Sequence, residues 1–385
     1  MTEDLAPLTM NWRSAMLALV MLCAAMTLLL LWLRDLERRA VVWLIAFVAA
    51  GMLSAVPMVI GFAGAYDRWP GLTFLPTHFA PLFGPLLYFH GRCLMSDEPL
   101  GALRWFLLPG IAYWLYQLWA FTALGDYQAK WAFNDAFHEP VVVPLVLVTS
   151  TLLIVAALVG VFRLRKRYLA WLDDNRSDGD RFDPVWLKHL LIATVPLAGL
   201  WILDNAIGPV LDLSYYDRYW ADFAALFLLF FIAVEALARL QAPFPKMPWH
   251  AGTGDERTDG EPARVDQERD WTADGLRLEA TIIEQGWHLE PGISLQEISR
   301  RFGMNQTYVS RALNHGLGSS FSEVINGLRV AHAQELIARG GSSLLDIALQ
   351  SGFGSKASFN RAFKLHSGMT PSAWQRQGAE QRSAA

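Results

Sequence analysis

Two short runs late in the chain carry side chains suited to one kind of chemistry. The first is Asn305, Gln306, Thr307, Ser310 and Arg311; the second is Lys356, Ala357, Asn360, Arg361 and Lys364. Amides, hydroxyls and cations at successive helical turns can meet the donor and acceptor pattern of a base edge, while guanidinium and ammonium groups meet phosphates. Gln306, Ser310, Lys356 and Asn360 suit base edges. Arg361 has two readings, a phosphate contact or an ion pair with Asp346, and Arg329 reads as a brace of its own helix. Arg300 and Arg301 suit either phosphate or solvent. No HExxH, phosphate-cradling glycine loop or nucleophile elbow occurs in the sequence, so catalysis has no motif behind it and neither cofactor nor metal is expected. Cys23 and Cys93 are the only cysteines; both lie in or beside apolar segments and read as packing residues.

Those side chains need helices to present them, and the helical period returns at Asp270. A helix near 271–286 is expected to bury Leu276, Ala280 and Ile283. Ser294 with Glu297, and Ser320 with Glu323, each predict a capping box. LQEISRRF buries Leu295, Ile298 and Phe302 and turns at Gly303. Asn305 then caps a helix that buries Tyr308, Val309 and Leu313. A long connecting helix to about Ala338 turns Ile325, Leu328, Ala331 and Leu336 inward. A second unit follows, with a turn at Gly352, a helix from Ser355 whose core face is Phe359 and Phe363, and a last helix opened by Thr370 and Pro371, with Trp374 packing back. Between 291 and 376 nine basic and four acidic residues give 9 − 4 = +5, a surface charge that favours a polyanion.

The rest of the chain is different. Of its 385 residues 53% are hydrophobic and only 18% charged, with 16 tryptophans. Soluble domains carry about a quarter charged residues. Apolar stretches near 14–33, 40–63, 76–95, 103–124, 141–163, 189–211 and 219–240 each approach the roughly 20 residues that cross a bilayer. Pro81 and Pro85 interrupt the third. Basic residues fall in alternate loops, the most basic holding Arg163, Arg165, Lys166, Arg167, Arg176, Arg181 and Lys188. That asymmetry predicts an outside N-terminus and a cytoplasmic C-terminal domain. Glu3 and Asp4 precede the first apolar run and its basic cluster follows, the reverse of a secretory signal, so a retained span is expected.

Aromatic residues crowd the outer loops, Trp131 and Tyr216 among them. They read either as an interfacial belt or as a vestibule for a signal ligand. Asp204 and Asn205, within WILDNAIGP, are further ligand candidates if they lie at membrane depth, where an ionisable group is costly; if the span ends early, Asp204 lies at the outer interface and needs no such role. Glu235 is expected to reach water or a nearby arginine. Residues 241–270, rich in proline, glycine and charge, read as a flexible linker of roughly 30 Å reach.

Residues 271–376 resemble the AraC-type DNA-binding domain, in which one long helix joins two helix-turn-helix units. The matching residues are Asn326 with Arg329, and the run Ile347-Ala348, Gly352-Phe353, Ser355, Phe359, Arg361, Phe363-Lys364, Gly368 and Thr370-Pro371. The chain is also similar to a membrane-anchored subgroup of such regulators, through Gly84 to Phe89 (GPLLYF) in the third span. The apolar runs, the linker composition and the resemblance together predict an all-α chain: a seven-span sensor domain over 1–240, a linker over 241–270 and a DNA-binding domain over 271–385. The resemblance implies a regulator in the bacterial inner membrane whose partners are promoter DNA, the lipid bilayer, RNA polymerase, an unknown signal ligand and a second copy in a homodimer. The recognition helices would enter successive major grooves. Two other readings stay open, a transporter-like membrane protein with an attached gene switch, and a passive anchor whose partner does the sensing.

Overall fold

A computed structural model describes residues 10–34, 37–185, 216–239, 243–248 and 270–384, with isolated positions between 187 and 199. Helices and turns account for these residues, and no strand ladder occurs among them. The chain divides into two compact units, one formed by residues 1–165 and 184–249, the other by 166–183 and 250–385.

In the first unit α1 (Trp12–Leu33), α2 (Arg38–Phe62), α3 (Ala80–Met95), α4 (Leu108–Ala123), the start of α5 (Val143–Asn175) and α6 (Tyr219–Arg239) provide the frame. Leu17, Phe62, Tyr219 and Leu226 form a core joining α1, α2 and α6. Asn11 caps α1 by accepting from the Ser14 amide at 3.0 Å, and its own amide donates to the Phe62 carbonyl at 2.8 Å. Gly84 lets α3 press against the Leu153 carbonyl of α5, where any Cβ would collide. The outward faces are apolar. On α5, Leu145, Val148, Leu152, Val155, Val159 and Phe162 repeat at helical spacing and lie 43–65% exposed. A stripe of that size in water would be an aggregation surface; against acyl chains it costs nothing.

Trp12–Leu33, Arg38–Phe62, Tyr127–Asn175 and Tyr219–Arg239 are long and apolar enough to cross a membrane. The third and fourth predicted segments form helices of 16 residues each, α3 and α4, shorter than the bilayer core asks. The fourth is divided because Pro109 supplies no backbone donor, and a 3₁₀ stretch, Gly101–Leu107, precedes α4. The fifth runs past its expected end into basic sequence as α5, and a π-helical turn, Asn134–Val142, leads into it around Pro140. Most of the sixth segment, with Asp204 and Asn205, lies outside the described residues. Glu235 meets His189 at 3.3 Å rather than an arginine.

Within the expected linker, residues 244–247 are packed. The Phe244 amide donates to the Glu37 carboxylate at 2.9 Å, Lys246 pairs with Glu37 at 3.1 Å, and Met247 exchanges backbone bonds with Met95 and Asp97.

The second unit holds α7 (Trp271–Glu284), α8 (Leu295–Phe302), α9 (Gln306–Gly316), α10 (Phe321–Arg339), α11 (Leu344–Gln350), α12 (Lys356–Ser367) and α13 (Pro371–Ala384). It contains two cores. Leu278, Ile282, Leu295, Ile298, Val309, Leu313, Phe321 and Ile325 form the first; Val330, Ala333, Ile337, Ile347, Phe353, Phe359 and Phe363 form the second. The connecting helix α10 feeds both.

Candidate nucleic-acid interface

Each helix-turn-helix is built around a glycine that a side chain would not replace. Gly303 closes α8 at φ +64°, and Gly352 turns α11 towards α12 at φ +81°, the left-handed region that glycine reaches without steric cost. At Gly352 a Cβ would also stand 2.5 Å from the Leu289 carbonyl oxygen. That glycine therefore sets how closely the turn between α11 and α12 approaches the loop before α8.

Caps then fix where the two exposed helices begin. Asn305 Oδ1 accepts from the Thr307 amide at 2.8 Å, and Ser355 Oγ accepts from the Ser358 amide at 3.1 Å. Behind α9, Val309 and Leu313 are fully buried; behind α12, Phe359 and Phe363 are too, with Trp374 edge-on to Phe363 at 6.1 Å. Asn305, Gln306, Thr307 and Arg311 are exposed on α9, as are Lys356, Ala357, Asn360, Arg361 and Lys364 on α12. Ser310 is half-buried, and its hydroxyl accepts from Asn314 at 3.3 Å. The Asp346 carboxylate accepts from the Ser343 hydroxyl at 2.6 Å at the start of α11.

Several sequence expectations change in detail. The Ser320–Glu323 capping box forms in both directions, at 2.8 and 3.3 Å. Only half of the Ser294–Glu297 box does: Ser294 Oγ accepts from the Glu297 amide at 3.2 Å, but the carboxylate turns to Arg300 at 2.7 Å and Arg301 at 3.0 Å. Cations three and four residues on share its helix face and capture it. Arg301 also forks onto Glu290 at 2.6 and 2.7 Å, which pulls the Glu290 carboxyl below its ordinary range. Arg300 and Arg301 thus belong to a carboxylate network. On α7 the buried face is Gly275, Leu278 and Ile282, while Leu276 and Ile283 are about half exposed. The reason is a close crossing: Gly275 and Gly316 let α7 and α9 touch backbone to backbone, and a glycine seam has no hydrophobic signature. Ala331 of α10 is likewise exposed.

Arg329, 1% exposed, is the joint of the unit. Its guanidinium donates to the carbonyls of His288 at 2.6 Å and Glu290 at 2.8 Å and to Asn326 Oδ1 at 3.3 Å, with Phe353 5.6 Å from its charge centre. Burial lowers its pKa to about 10, opposed by the charge of Asp178. The Asn326–Arg329 pair thus ties α10 to the loop before α8 and to the turn after α11.

Nothing in the sequence pointed to the last component. Residues 166–183, the basic loop after the fifth apolar segment, belong to this unit. Ser177 meets the Ile293 carbonyl through both its amide (3.3 Å) and its hydroxyl (2.9 Å), and its own carbonyl accepts from Asn326 at 3.3 Å. Arg176, forked onto Asp178 at 2.7 and 3.1 Å, reaches the Gly292 carbonyl. Asp173, Asp178 and Asp183 line a cavity of about 340 Å³ together with Asn326, Arg329 and Arg361. In the first unit Trp131 and Tyr216 come together at another cavity, described below.

A model described as a helix-turn-helix domain matches residues 298–377. An uncharacterized HTH-type transcriptional regulator of Staphylococcus aureus strain MSSA476 is 36% identical over 84 residues, which are 22% of this chain and 11% of that protein. The probable transcription factor PqrA of Proteus vulgaris is 31% identical over 87 residues, covering 23% of this chain and 71% of that one. A solved structure of a Listeria innocua protein of unknown function shares 30% identity over 26% of this chain and 93% of that chain, with a TM-score of 0.24. The chain spans about a tenth of the length of its staphylococcal relatives and most of the length of the Proteus one. Through its C-terminal unit, with two capped and glycine-turned helix pairs joined by α10, the chain belongs to the AraC-type helix-turn-helix family of transcription regulators.

Proposed function

We propose that this regulator works from the membrane: an apolar seven-span domain over 1–240 receives a signal, residues 241–270 tether, and residues 271–385 bind a promoter. Base edges are read by Gln306, Lys356 and Asn360, with Ser310 in a lesser role because its hydroxyl is engaged. Arg311, Arg361 and Lys364 hold phosphates, and Asn305, Thr307 and Ala357 complete the two surfaces. The N-terminus lies outside a bacterial inner membrane and the DNA-binding domain in the cytoplasm. Partners are double-stranded DNA, lipid, RNA polymerase and a second copy, as paired sites favour. No catalysis and no cofactor enter this reading.

The observation that carries it is α5. One continuous helix, Val143–Asn175, shows an apolar exposed stripe along its first half, while its last residues from Lys166 are grouped with the DNA-binding unit, where Ser177 just beyond it bonds to Ile293 and Asn326. This helix is therefore the stretch of chain through which a change in the apolar unit would reach the DNA-binding one. The experiment is a footprint of the full chain, reconstituted in lipid vesicles, on DNA upstream of its own gene. Protection of two blocks about one helical turn apart is expected. Absence of protection at moderate salt, or protection unchanged by Arg311→Ala with Lys356→Ala, contradicts the reading. Replacing residues 1–165 with one unrelated span, which leaves residues 166–183 with the DNA-binding unit, separates a sensor, which then loses its response, from a passive anchor, which keeps it.

A further inference from the structure

We propose that the apolar unit holds a binding site for a small aromatic monoanion, in a cavity of about 540 Å³ bordered by Lys130. The proposal rests on the reading of this unit as a membrane-embedded receptor. Lys130 falls in an outer loop by sequence, where a lysine ordinarily keeps its ammonium in water. Here it is 5% exposed. Its ammonium donates only to the Gly71 carbonyl, at a long 3.4 Å, and lies 4.5 Å from the centre of the Phe121 ring. No carboxylate of the described residues stands within 4.0 Å of it. A desolvated ammonium is costly without a counter-charge, and the cavity it borders is where one can enter.

The walls say what else the ligand carries. Tyr113 stacks on Tyr116 at 6.3 Å, and Tyr116 lies parallel to the His138 ring at 5.7 Å with its hydroxyl 3.0 Å from Nδ1. Facing rings come from Phe74 and Trp131, edge to face at 5.7 Å. Phe74 is held at φ +69°, a conformation that a bulky residue keeps only when its surroundings enforce it. Flat, fixed rings select a flat body. Asp67 shares the lining and its carboxylate repels negative charge, so an anionic group on the ligand must sit at the Lys130 ammonium. The cavity volume falls within the range of small-molecule sites. An aromatic carboxylate meets all of these conditions: the ring stacks on the wall and the carboxylate reaches Lys130.

The test uses the full chain in lipid vesicles with 2-naphthoate as probe and 2-naphthamide as its neutral isostere, read by ligand fluorescence against protein-free vesicles. Saturable naphthoate binding, at least tenfold tighter than the amide, is expected. Lys130→Met abolishes that preference and Lys130→Arg retains it. Equal binding of acid and amide, no saturable naphthoate binding, or an unchanged preference in Lys130→Met overturns the site alone; failure of the chain to enter vesicles overturns both the site and the membrane reading. If Lys130→Met does not fold, the acid–amide contrast in the unaltered chain decides. DNA binding is not used in this assay, so its result stands apart from the footprint.

Discussion

At the scale of single residues, Arg329 is the side chain on which the DNA-binding unit most depends. Its burial is tolerable because three acceptors surround it, and two of them are main-chain carbonyls of the preceding loop. Arg329→Met leaves those carbonyls buried and unanswered, and should lower stability by about 1–3 kcal/mol for each carbonyl left without a donor, read by chemical denaturation. Arg329→Lys should not restore it, because one ammonium cannot reproduce the planar fork. His288, beside it, is 7% exposed and donates from Nδ1 to the Ile282 carbonyl at 3.3 Å. Burial, with Arg329 and His332 nearby, lowers its pKa below the ordinary 6.5. The unfolded chain therefore takes up the proton first as pH falls. Stability from this group is present above pH 6.5 and declines as pH drops through the interval below it. His288→Gln should flatten that part of a stability–pH curve. Arg329 as a brace was legible in the sequence, since a cation within a core-facing run needs a partner. Lys130 was not, because the carbonyl and ring that surround it come from residues 59 and 9 positions away.

At the scale of elements, the two exposed helices should separate affinity from specificity. Arg311→Ala and Lys364→Ala should each weaken binding and lower the salt dependence of the binding constant by about one unit of slope, as loss of a phosphate contact requires. Asn360→Ala or Gln306→Ala should leave the slope unchanged and relax preference at one base pair by about 1–3 kcal/mol. A titration series in salt on matched and mismatched sites distinguishes these outcomes, and a slope change for Asn360 would reassign it to the backbone. Gly352→Ala should destabilise the second unit by more than about 1 kcal/mol, since its φ is unfavourable to alanine and its Cβ would press on Leu289. Helix starts were readable because Ser, Asn and Gly act through their immediate neighbours: Asn305, Ser320 and Ser355 cap where their types predict. The buried face of α7 was not, because Gly275 and Gly316 make contact by lacking side chains. Nor was the fate of the Glu297 carboxylate, which depended on a competition between a cap and two arginines.

At the scale of the whole molecule, apolar exposure separates the two units more sharply than charge does. The first presents leucine, valine and phenylalanine outward along α5 and polar groups such as Lys130 and His90 inward; the second does the opposite around its two cores. Composition leads to an expectation of such a contrast, since it is read from long windows rather than single residues. What composition could not predict is that residues 166–183 join the DNA-binding unit, a pairing of Ser177 with Ile293 across 116 positions. If α5 carries the signal, Ser177→Ala with Asn326→Ala should blunt the transcriptional response to the signal while the protein stays in the membrane, read with a promoter fusion. The account stands or falls on one chain holding lipid and DNA together. The direct measurement is flotation of vesicles carrying the full chain with labelled upstream DNA on a density gradient. The account predicts that DNA rises with the vesicles, survives an alkaline wash of the protein beforehand, and is left behind when Arg311→Ala and Lys356→Ala are combined. DNA that stays at the bottom, or that rises equally with the double variant, would contradict it.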